Sequence, residues 1–248
     1  MILTYIFYIV LGFLPSLIWL TFYLKKDCHP EPKNQIIQIF IWGMLVAPLA
    51  ALLELFLFWL TKPSFEINSL VASLNQFHDG WRELIGLVFF APLVEEYLKY
   101  KIVVSKTLKD SDFDEPLDIM LYLIIGALGF AAVENLIVVL KTPLMPIGDV
   151  LGIISFRFIG ATFLHALASG IVGYYVAKSL LAAKNKSQLI LKGLSIAIVF
   201  HAAYNYLIGL LEKYPPASLL IVLLLTAMAL FVSSGFKKLK NQLSVCKI

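Results

Sequence analysis

Charged residues are scarce in this chain, and cysteine is almost absent. Only 15% of the 248 residues are charged whereas 60% are hydrophobic, a composition far too apolar for a soluble domain of this length. The two cysteines, Cys28 and Cys246, cannot build a disulfide framework, and neither belongs to a spacing typical of structural zinc sites. No polar segment is long enough to fold as an extramembrane domain. These absences leave an integral membrane protein as the class that fits.

What the chain does contain is a series of apolar runs, each long enough to cross a bilayer as a helix. There are seven of them: Ile2–Leu24, Ile36–Leu60, Glu83–Ser105, Leu117–Leu140, Val150–Ala177, Leu189–Leu211 and Ala217–Phe236. The first has no positively charged n-region and is too long for a signal peptide, so we expect a retained helix that Pro15 kinks. The runs predict an all-α, polytopic transmembrane bundle of about seven spans, formed as a single integral-membrane domain over residues 1–248.

Lysine and arginine are distributed unevenly over the segments that connect these runs. Thirteen fall on one side of the alternating pattern and four on the other. Because positive residues concentrate on cytoplasmic loops, the N-terminus is predicted outside and the C-terminus in the cytoplasm. The net charge of +4 therefore reflects topology and gives no reason to expect nucleic acid as a partner. Both cysteines fall on the reducing side, so we expect no disulfide.

Two connecting segments carry patterns of their own. Thr61–Gly80 has apolar residues near helical spacing, which indicates either a short amphipathic helix on the outer face or an ordered irregular loop. Lys106–Pro116 is acidic and polar, and is expected to be a solvated loop without a metal site. No internal repeat is visible, which counts against a transporter built on inverted repeats.

Two adjacent glutamates, Glu95 and Glu96, interrupt the third apolar run, with Lys99 one helical turn further on. On insertion scales a carboxylate near the bilayer centre costs about 2.5–3.5 kcal/mol, so such residues mark functional sites by default. Glu95 and Lys99 are four residues apart and share a helix face, where they can form an ion pair. That pair alone would leave Glu96 without a role.

The fourth and fifth runs add one ionisable residue each, Glu134 and Arg157. An ion pair of Arg157 with Glu134, or with Glu54 of the second run, is the purely structural alternative for these residues. Gly126 and Gly129, which precede Glu134, are expected to permit close approach of a neighbouring helix.

Two histidines follow on consecutive runs, His165 and then His201, with Asn205 four residues after His201. A carboxylate and two imidazoles from three runs are thus expected at similar depth. A carboxylate removed from water can act as a general base, while an imidazole and an amide can stabilise an oxyanion. This set predicts hydrolysis of an acyl bond by an activated water, and the natural acyl bond in a membrane is a peptide bond.

Other hydrolytic sites fit less well. The zinc motif HExxH is absent, and Asp118 and Asp149 lie at the ends of runs, unlike the paired aspartates of aspartyl intramembrane proteases. Ser169 with His201 would form a rhomboid-like pair, but that scheme gives the three glutamates no role. Zinc on Glu and His ligands is chemically feasible, yet no convincing motif supports it. We therefore expect neither a metal nor an organic cofactor.

Four short motifs resemble those of PrsW-type intramembrane proteases. They are EEYLK (Glu95, Glu96, Lys99), FAAVE (Phe130 to Glu134), His165 on the following run, and HAAYN (His201 to Asn205). The resemblance covers about residues 80–210, in order and on separate runs. It places the chain near the glutamic intramembrane proteases, a superfamily that includes the CAAX prenyl proteases and bacteriocin-processing enzymes.

The resemblance implies cleavage of a membrane-anchored protein, typically an anti-sigma factor cut on its extracytoplasmic side to start a stress response. Glu95 then resembles the water-activating base, Glu96 the second motif glutamate and Lys99 the basic residue that closes the motif. His165 takes an orienting role, and His201 with Asn205 resembles the oxyanion-stabilising pair. Glu134 stands where the prenyl proteases have histidine, so a mechanism taken from them does not transfer at that position.

Two rival functions remain open at this stage. A non-enzymatic binding or immunity protein of the same fold would keep the polar cluster for structure alone. A proton-coupled transporter would use Glu95, Glu96 and Glu134 as a relay. The sequence also leaves open whether Glu95 or Glu96 is the base.

Overall fold

The computed structural model describes residues 2–26, 29–61, 86–107, 115–140, 145–211 and 213–241. All regular structure in these ranges is helical, which confirms the all-α prediction. In chain order the α-helices are α1 (Ile2–Leu24), α2 (Lys33–Thr61), α3 (Ala91–Thr107), α4 (Pro116–Leu140), α5 (Ile147–Ile159), α6 (Ala161–Leu181), α7 (Lys186–Leu210) and α8 (Ala217–Lys240). A π-helical segment, Gly86–Phe90, leads directly into α3.

Six stretches of the described chain are long and apolar enough to cross a membrane. They correspond to α1, α2, α4, the continuous α5–α6 stretch, α7 and α8, and they match six of the seven predicted spans to within a few residues. The remaining predicted span, Glu83–Ser105, is described from Gly86 onward as the π-helical segment and α3. Its several charged residues set it apart from the other six, and its crossing of the bilayer stays a prediction.

Helix α4 is the central helix of the bundle. In the most apolar part of α4, 67% is buried inside the bundle, against 28–44% in the other stretches that are long and apolar enough to cross the membrane. Two glycine crossings bring α2 against it: a Cβ at Gly43 would lie 1.9 Å from the Gly126 carbonyl oxygen, and one at Gly129 would lie 2.1 Å from the Phe40 carbonyl oxygen. These contacts confirm the close approach predicted at Gly126 and Gly129. Because α2, α6 and α1 surround α4, polar residues on α4 face protein rather than lipid.

The predicted fifth span, Val150–Ala177, is not one continuous helix. The structure ends α5 at Ile159 and begins α6 at Ala161, with Gly160 between them at φ −93° and ψ −95°. A Cβ at Gly160 would lie 2.3 Å from the Tyr204 hydroxyl oxygen of α7. The break therefore lets α7 approach the backbone at this point, and it makes α5 a helix separate from α6.

Trp19 of α1 packs against the break between α5 and α6. Its indole nitrogen donates a hydrogen bond of 2.9 Å to the Phe158 carbonyl oxygen, one of the carbonyls that a broken helix leaves without an internal partner. The indole also stacks on Phe163, with ring centroids 4.2 Å apart and planes inclined by 10°. One side chain thus contacts residues on both sides of Gly160.

Large apolar side chains cover the outer surface of the bundle. Examples above 60% exposure are Leu52, Ile159, Leu191, Tyr214, Leu219, Val222, Leu223 and Leu230. A soluble monomer rarely exposes so continuous an apolar surface, whereas lipid requires it. The protein is a multi-pass integral membrane protein.

Several predictions fall outside the described residues. They concern the proposed amphipathic helix in Thr61–Gly80, most of the acidic loop Lys106–Pro116, and both cysteines, Cys28 and Cys246.

Candidate active site

Helix α3 carries three ionisable side chains into the interior. Glu95, Glu96 and Lys99 are all buried, with at most 6% of each residue exposed. The Lys99 ammonium donates to Glu96 Oε1 at 2.6 Å, while its distance to Glu95 Oε2 is 3.8 Å. The ion pair that the spacing of Glu95 and Lys99 permits is therefore present, but the i, i+3 neighbour Glu96 lies closer to the ammonium and accepts its hydrogen bond.

His165 of α6 is held by contacts at both ring nitrogens. Its Nδ1 lies 3.0 Å from the Lys99 ammonium, and its Nε2 lies 2.6 Å from Glu134 Oε2. An ammonium can only donate and a carboxylate can only accept. The neutral ring therefore carries its proton on Nε2 and gives it to Glu134, while Nδ1 accepts from Lys99.

His201 of α7 follows the same pattern with the other glutamate. Its Nδ1 donates to Glu96 Oε1 at 2.8 Å, which leaves Nε2 directed at Glu95 Oε2 across 3.8 Å. The two imidazole rings are perpendicular to within a few degrees, with centroids 5.0 Å apart. Each histidine is thus oriented by a carboxylate on one nitrogen and presents the other nitrogen toward Glu95.

Glu95 is the least satisfied member of the cluster. Its Oε2 is buried and has no hydrogen-bond partner among the described residues; the same is true of Glu96 Oε2, but the carboxylate of Glu96 accepts two hydrogen bonds through Oε1. Glu95 Oε2 lies 3.8 Å from each of three nitrogens, on Lys99, His165 and His201. Buried carboxylate oxygens are rarely left without a hydrogen bond in folded proteins, so such an atom requires an explanation.

Glu134 lies near the end of α4 that is predicted to face the outside, and it also contacts Arg157. Arg157 Nη2 lies 3.4 Å from Glu134 Oε2, so the predicted Glu134–Arg157 ion pair is present. Glu134 has His165 as a second partner, and its role is therefore not limited to neutralising Arg157. Glu54 of α2, the other predicted partner for Arg157, lines the same cavity.

Asn135 is a further partner of Arg157 and is bonded in turn to Thr162, and the sequence assigns neither residue a role. Asn135 is fully buried; its Oδ1 accepts from Arg157 Nε at 2.5 Å, and its Nδ2 donates to Thr162 Oγ1 at 2.9 Å. These two hydrogen bonds connect α4, α5 and α6 beside the break between α5 and α6. An asparagine within an apolar span was a usable signal for Asn135, whereas a lone threonine such as Thr162 gives none.

Phe130 of α4 lies against the inner side of the cluster. Its ring centroid is 4.8 Å from the Lys99 ammonium and 5.4 Å from the His165 ring centroid. The aromatic face attracts the cation, which helps to hold the buried Lys99 ammonium in place. The first residue of the FAAVE motif thus contacts two other predicted site residues.

A cavity of about 660 Å³ lies in front of this cluster. Its lining comes from α2, α3, α4, α5, α6 and α7. Among the predicted site residues, those that line it are Glu95, Glu134, Arg157, His165, His201 and Asn205. Glu96, Lys99 and Phe130 are not among its lining residues; they lie behind Glu95 and the histidines. Tyr204 and Glu54, which the sequence reading gave no catalytic role, also line the cavity.

The donor atoms of Glu95, Glu96, His165 and His201 all lie within 4.8 Å of one another. Ser169, the residue of the rhomboid-like alternative, is buried on α6 at 1% exposure and does not line the cavity. The structure therefore groups the glutamates with both histidines and leaves Ser169 out of this group.

Comparison with known proteins gives a consistent result. The family model described as "PrsW family intramembrane metalloprotease" matches residues 31–233. The chain is 27% identical over 220 residues to Protease PrsW of Clostridioides difficile (strain 630), covering 86% of this chain and 83% of that protein. It is 26% identical over 201 residues to Protease PrsW of Geobacillus kaustophilus (strain HTA426), covering 78% and 75% of the two chains.

A third relative, Protease PrsW of Bacillus subtilis (strain 168), is 23% identical over 236 residues, which is 94% of each chain. No solved structure matches at a significant level. The family match spans more than half of the chain and includes every helix that contributes to the cavity. The chain belongs to the PrsW family of bacterial intramembrane proteases.

Proposed function

We propose that this protease hydrolyses a peptide bond of a membrane-anchored protein with a water molecule that Glu95 activates. The observation that carries the proposal is that Glu95 lines the cavity, while its Oε2 atom is buried and has no hydrogen-bond partner among the described residues. This atom lies 3.8 Å from His201 Nε2, which has no other partner among the described residues, and one bridging water can span that separation. A general base must reach the proton that it removes, and this carboxylate has the access.

The two neighbouring glutamates then have different roles. Glu96 Oε1 already accepts from both Lys99 and His201, and Glu96 does not line the cavity. Glu95 lines the cavity and makes no comparable bond. These contacts favour Glu95 as the base and Glu96 as the residue that orients His201.

His201 and Asn205 are proposed to serve the tetrahedral intermediate. With its Nδ1 proton given to Glu96, a neutral His201 presents Nε2 as an acceptor and so orients the attacking water. Once Glu95 has taken the proton of the water, it can lend that proton to His201 Nε2, 3.8 Å away, and the imidazolium so formed can donate to the oxyanion until the proton returns to Glu95. Asn205 lies one turn further along α7, lines the same cavity and carries an amide donor from the outset.

The reaction conserves its protons within this group. The water gives one proton to Glu95 as its oxygen attacks the scissile carbonyl carbon, and the carbonyl oxygen becomes the oxyanion. When the carbon–nitrogen bond breaks, the proton on Glu95 passes to the leaving amine. Throughout the reaction His165 donates its Nε2 proton to Glu134, and this hydrogen bond fixes the orientation of the imidazole ring.

The substrate must present an extended segment, because the peptide bonds of a helix are shielded by its own backbone. A cavity of about 660 Å³ falls within the range of sites that enclose a ligand of drug size, here a few residues of an extended chain. By its resemblance to PrsW proteases, we propose an anti-sigma factor as the anchored substrate, in contact with the lipid bilayer. We also propose that residues 1–248 act as one integral-membrane unit.

The family description calls these enzymes metalloproteases, and the cluster can be tested against a bound metal ion. Two carboxylates and two imidazoles are suitable ligands for zinc, and their donor atoms are close enough together. However, Lys99 directs its ammonium at three of these four residues, at 2.6 Å from Glu96, 3.0 Å from His165 and 3.8 Å from Glu95. With that cation among the donors, the residues do not fit a divalent metal, and no step of the proposed reaction uses one.

Glu95→Gln tests the proposal, because the amide keeps the shape of the side chain and removes the base. The variant is co-expressed with candidate anchored proteins, and released peptides are mapped by mass spectrometry against the wild type. We expect a loss of cleavage of about 100-fold or more. Asp149→Asn, which neutralises an exposed carboxylate in the first turn of α5, is the matched control and should cleave normally. Wild-type cleavage by Glu95→Gln would rule the mechanism out.

A further inference from the structure

Lys99 lies at the centre of the ionisable cluster rather than at its edge. Its ammonium contacts Glu96 Oε1 and His165 Nδ1 at hydrogen-bond distance and lies 3.8 Å from Glu95 Oε2. Its side chain is fully buried. Three of the four residues that could hold a metal ion therefore already direct a donor atom at one cation that belongs to the chain itself.

The charges around Lys99 account for its position. Glu95 and Glu96 are adjacent on one helix, and both are buried, so a cation between them offsets their repulsion. The ring of Phe130 supports the ammonium from a third direction at 4.8 Å. The other cation beside the cluster, Arg157, is directed at Glu134 and Asn135 instead. Lys99 is thus the cation that balances the α3 carboxylates.

A divalent metal bound by these same residues would have to share this space with the ammonium. Two cations a few ångströms apart in an interior of low dielectric repel one another strongly. In addition, His165 Nδ1 and Glu96 Oε1 would have to exchange their bonds to Lys99 for bonds to the metal. Lys99 therefore opposes metal binding through its charge and through the lone pairs that it occupies.

We propose that Lys99 takes the place of a metal ion in this cluster, so that the wild-type protein binds no divalent metal there. In this role Lys99 is a positioning residue: it holds Glu96 and His165 in the orientations that leave Glu95 facing the cavity. The proposal rests on the proposed function of the same site and deepens it. It differs from the metal dependence that the family description states. It also implies that the cluster gains the ability to bind a divalent metal ion when an uncharged side chain replaces Lys99.

Metal content and thermal stability of tag-free protein in detergent test the proposal without any substrate. We expect wild-type protein to retain well below one zinc per chain after equilibration with zinc chloride, and to show no zinc-dependent rise in unfolding midpoint. Lys99→Met removes the charge and keeps the length of the side chain. It should bind about one zinc per chain, on the order of 100-fold more tightly than wild type, and gain thermal stability with zinc.

Two further variants assign the effect to the cluster. Lys101→Met removes a lysine from the exposed side of the same helix and should behave as wild type. Lys99→Met combined with His201→Ala should lose the gained zinc, because one ligand is missing. Cobalt(II) bound to Lys99→Met should give the visible absorption of tetrahedral coordination.

Two results would overturn the proposal. The first is one tightly held zinc per wild-type chain that Glu95→Gln or His201→Ala releases. The second is a folded Lys99→Met, and a folded Lys99→Gln measured beside it, that bind no more zinc than wild type. Neither result depends on cleavage, so a failure to find proteolysis leaves this test intact, and the converse also holds.

Discussion

Each of the two adjacent glutamates has its own surroundings, so their amide variants should fail in different ways. Glu96 bonds to Lys99 and His201, whereas Glu95 has no hydrogen-bond partner at Oε2 among the described residues. Removing one charge of a buried ion pair costs about 3–5 kcal/mol, and Glu96→Gln should lose about 2–3 kcal/mol because its amide oxygen still accepts. Glu95→Gln should keep or raise stability while it loses activity.

Thermal unfolding in detergent and cleavage of the same substrate separate these outcomes. Glu96→Gln should unfold at a lower temperature, and its residual activity should fall together with the folded fraction. If Glu95→Gln were the less stable of the two, the assignment of structural and catalytic roles would have to be exchanged.

Asn135 allows a separate test of how Arg157 is held. Asn135→Leu keeps the branching of the side chain but leaves the partly buried Arg157 Nε and the buried Thr162 Oγ1 without their partner. Leaving a buried polar group unsatisfied costs about 1–3 kcal/mol, so stability should fall by that amount. Because Arg157 then no longer has a fixed direction, kcat should fall more than KM rises. A normal kcat in Asn135→Leu would show that the position of Arg157 is irrelevant to the reaction.

The residues of the cluster could be named from the sequence, but their partners could not. Glu95, Glu96, His165 and His201 stand out because ionisable residues in apolar runs are expensive. Lys99, however, can reach either glutamate from the same helix, and the packing of His165 and Phe130 decides for Glu96. That packing depends on where α4 and α6 cross α3, which spacing along the chain does not encode.

At the scale of the elements, the break between α5 and α6 is the feature that the sequence does not reveal. Gly160 lies in an apolar run in which a helix glycine is ordinarily tolerated. Its effect arises from Tyr204, 44 positions away on α7, whose hydroxyl occupies the space of a side chain at that position. Span positions follow from apolarity alone, whereas a local break depends on a contact between distant helices.

Gly160→Ala should therefore be destabilising, and Tyr204→Phe should partly rescue it. The added Cβ would lie 2.3 Å from the Tyr204 hydroxyl oxygen and 2.9 Å from the Phe156 carbonyl oxygen. Overpacking of this kind costs about 1–3 kcal/mol, and displacement of α5 should also reduce cleavage. Gly148→Ala in the first turn of α5 is the control, since no atom lies within 4 Å of the added carbon.

The double variant Gly160→Ala, Tyr204→Phe decides the cause. If the hydroxyl is the obstacle, the stability loss of the double variant should be smaller than the sum of the two single losses. Simple additivity would mean that the backbone angles of Gly160, rather than the contact with Tyr204, set the break.

At the scale of the whole molecule, the cavity lies toward one end of the bundle. Its lining residues on α4 and α7 come from the C-terminal halves of these helices, Glu134 and Val138 on α4 and His201 to Ile208 on α7. By the charge asymmetry of the loops, that end is the one predicted to face the outside. A cavity near the outer surface agrees with cleavage on the extracytoplasmic side, which the PrsW resemblance implies. The orientation of the bundle therefore decides on which side of the membrane a substrate would be cleaved.

Single cysteines placed at the two ends of the α5–α6 stretch test this orientation directly. The natural chain has only Cys28 and Cys246, so both can be changed to serine first. A membrane-impermeant thiol reagent applied to intact cells should then label Met145→Cys, before α5, and should not label Lys184→Cys, after α6. Both positions are exposed, and both should react once the cells are opened. Labelling of Lys184→Cys alone would invert the topology and place the cavity toward the cytoplasm. Equal labelling of both in intact cells would mean that α5 and α6 together do not cross the bilayer, because their ends would then lie on the same side.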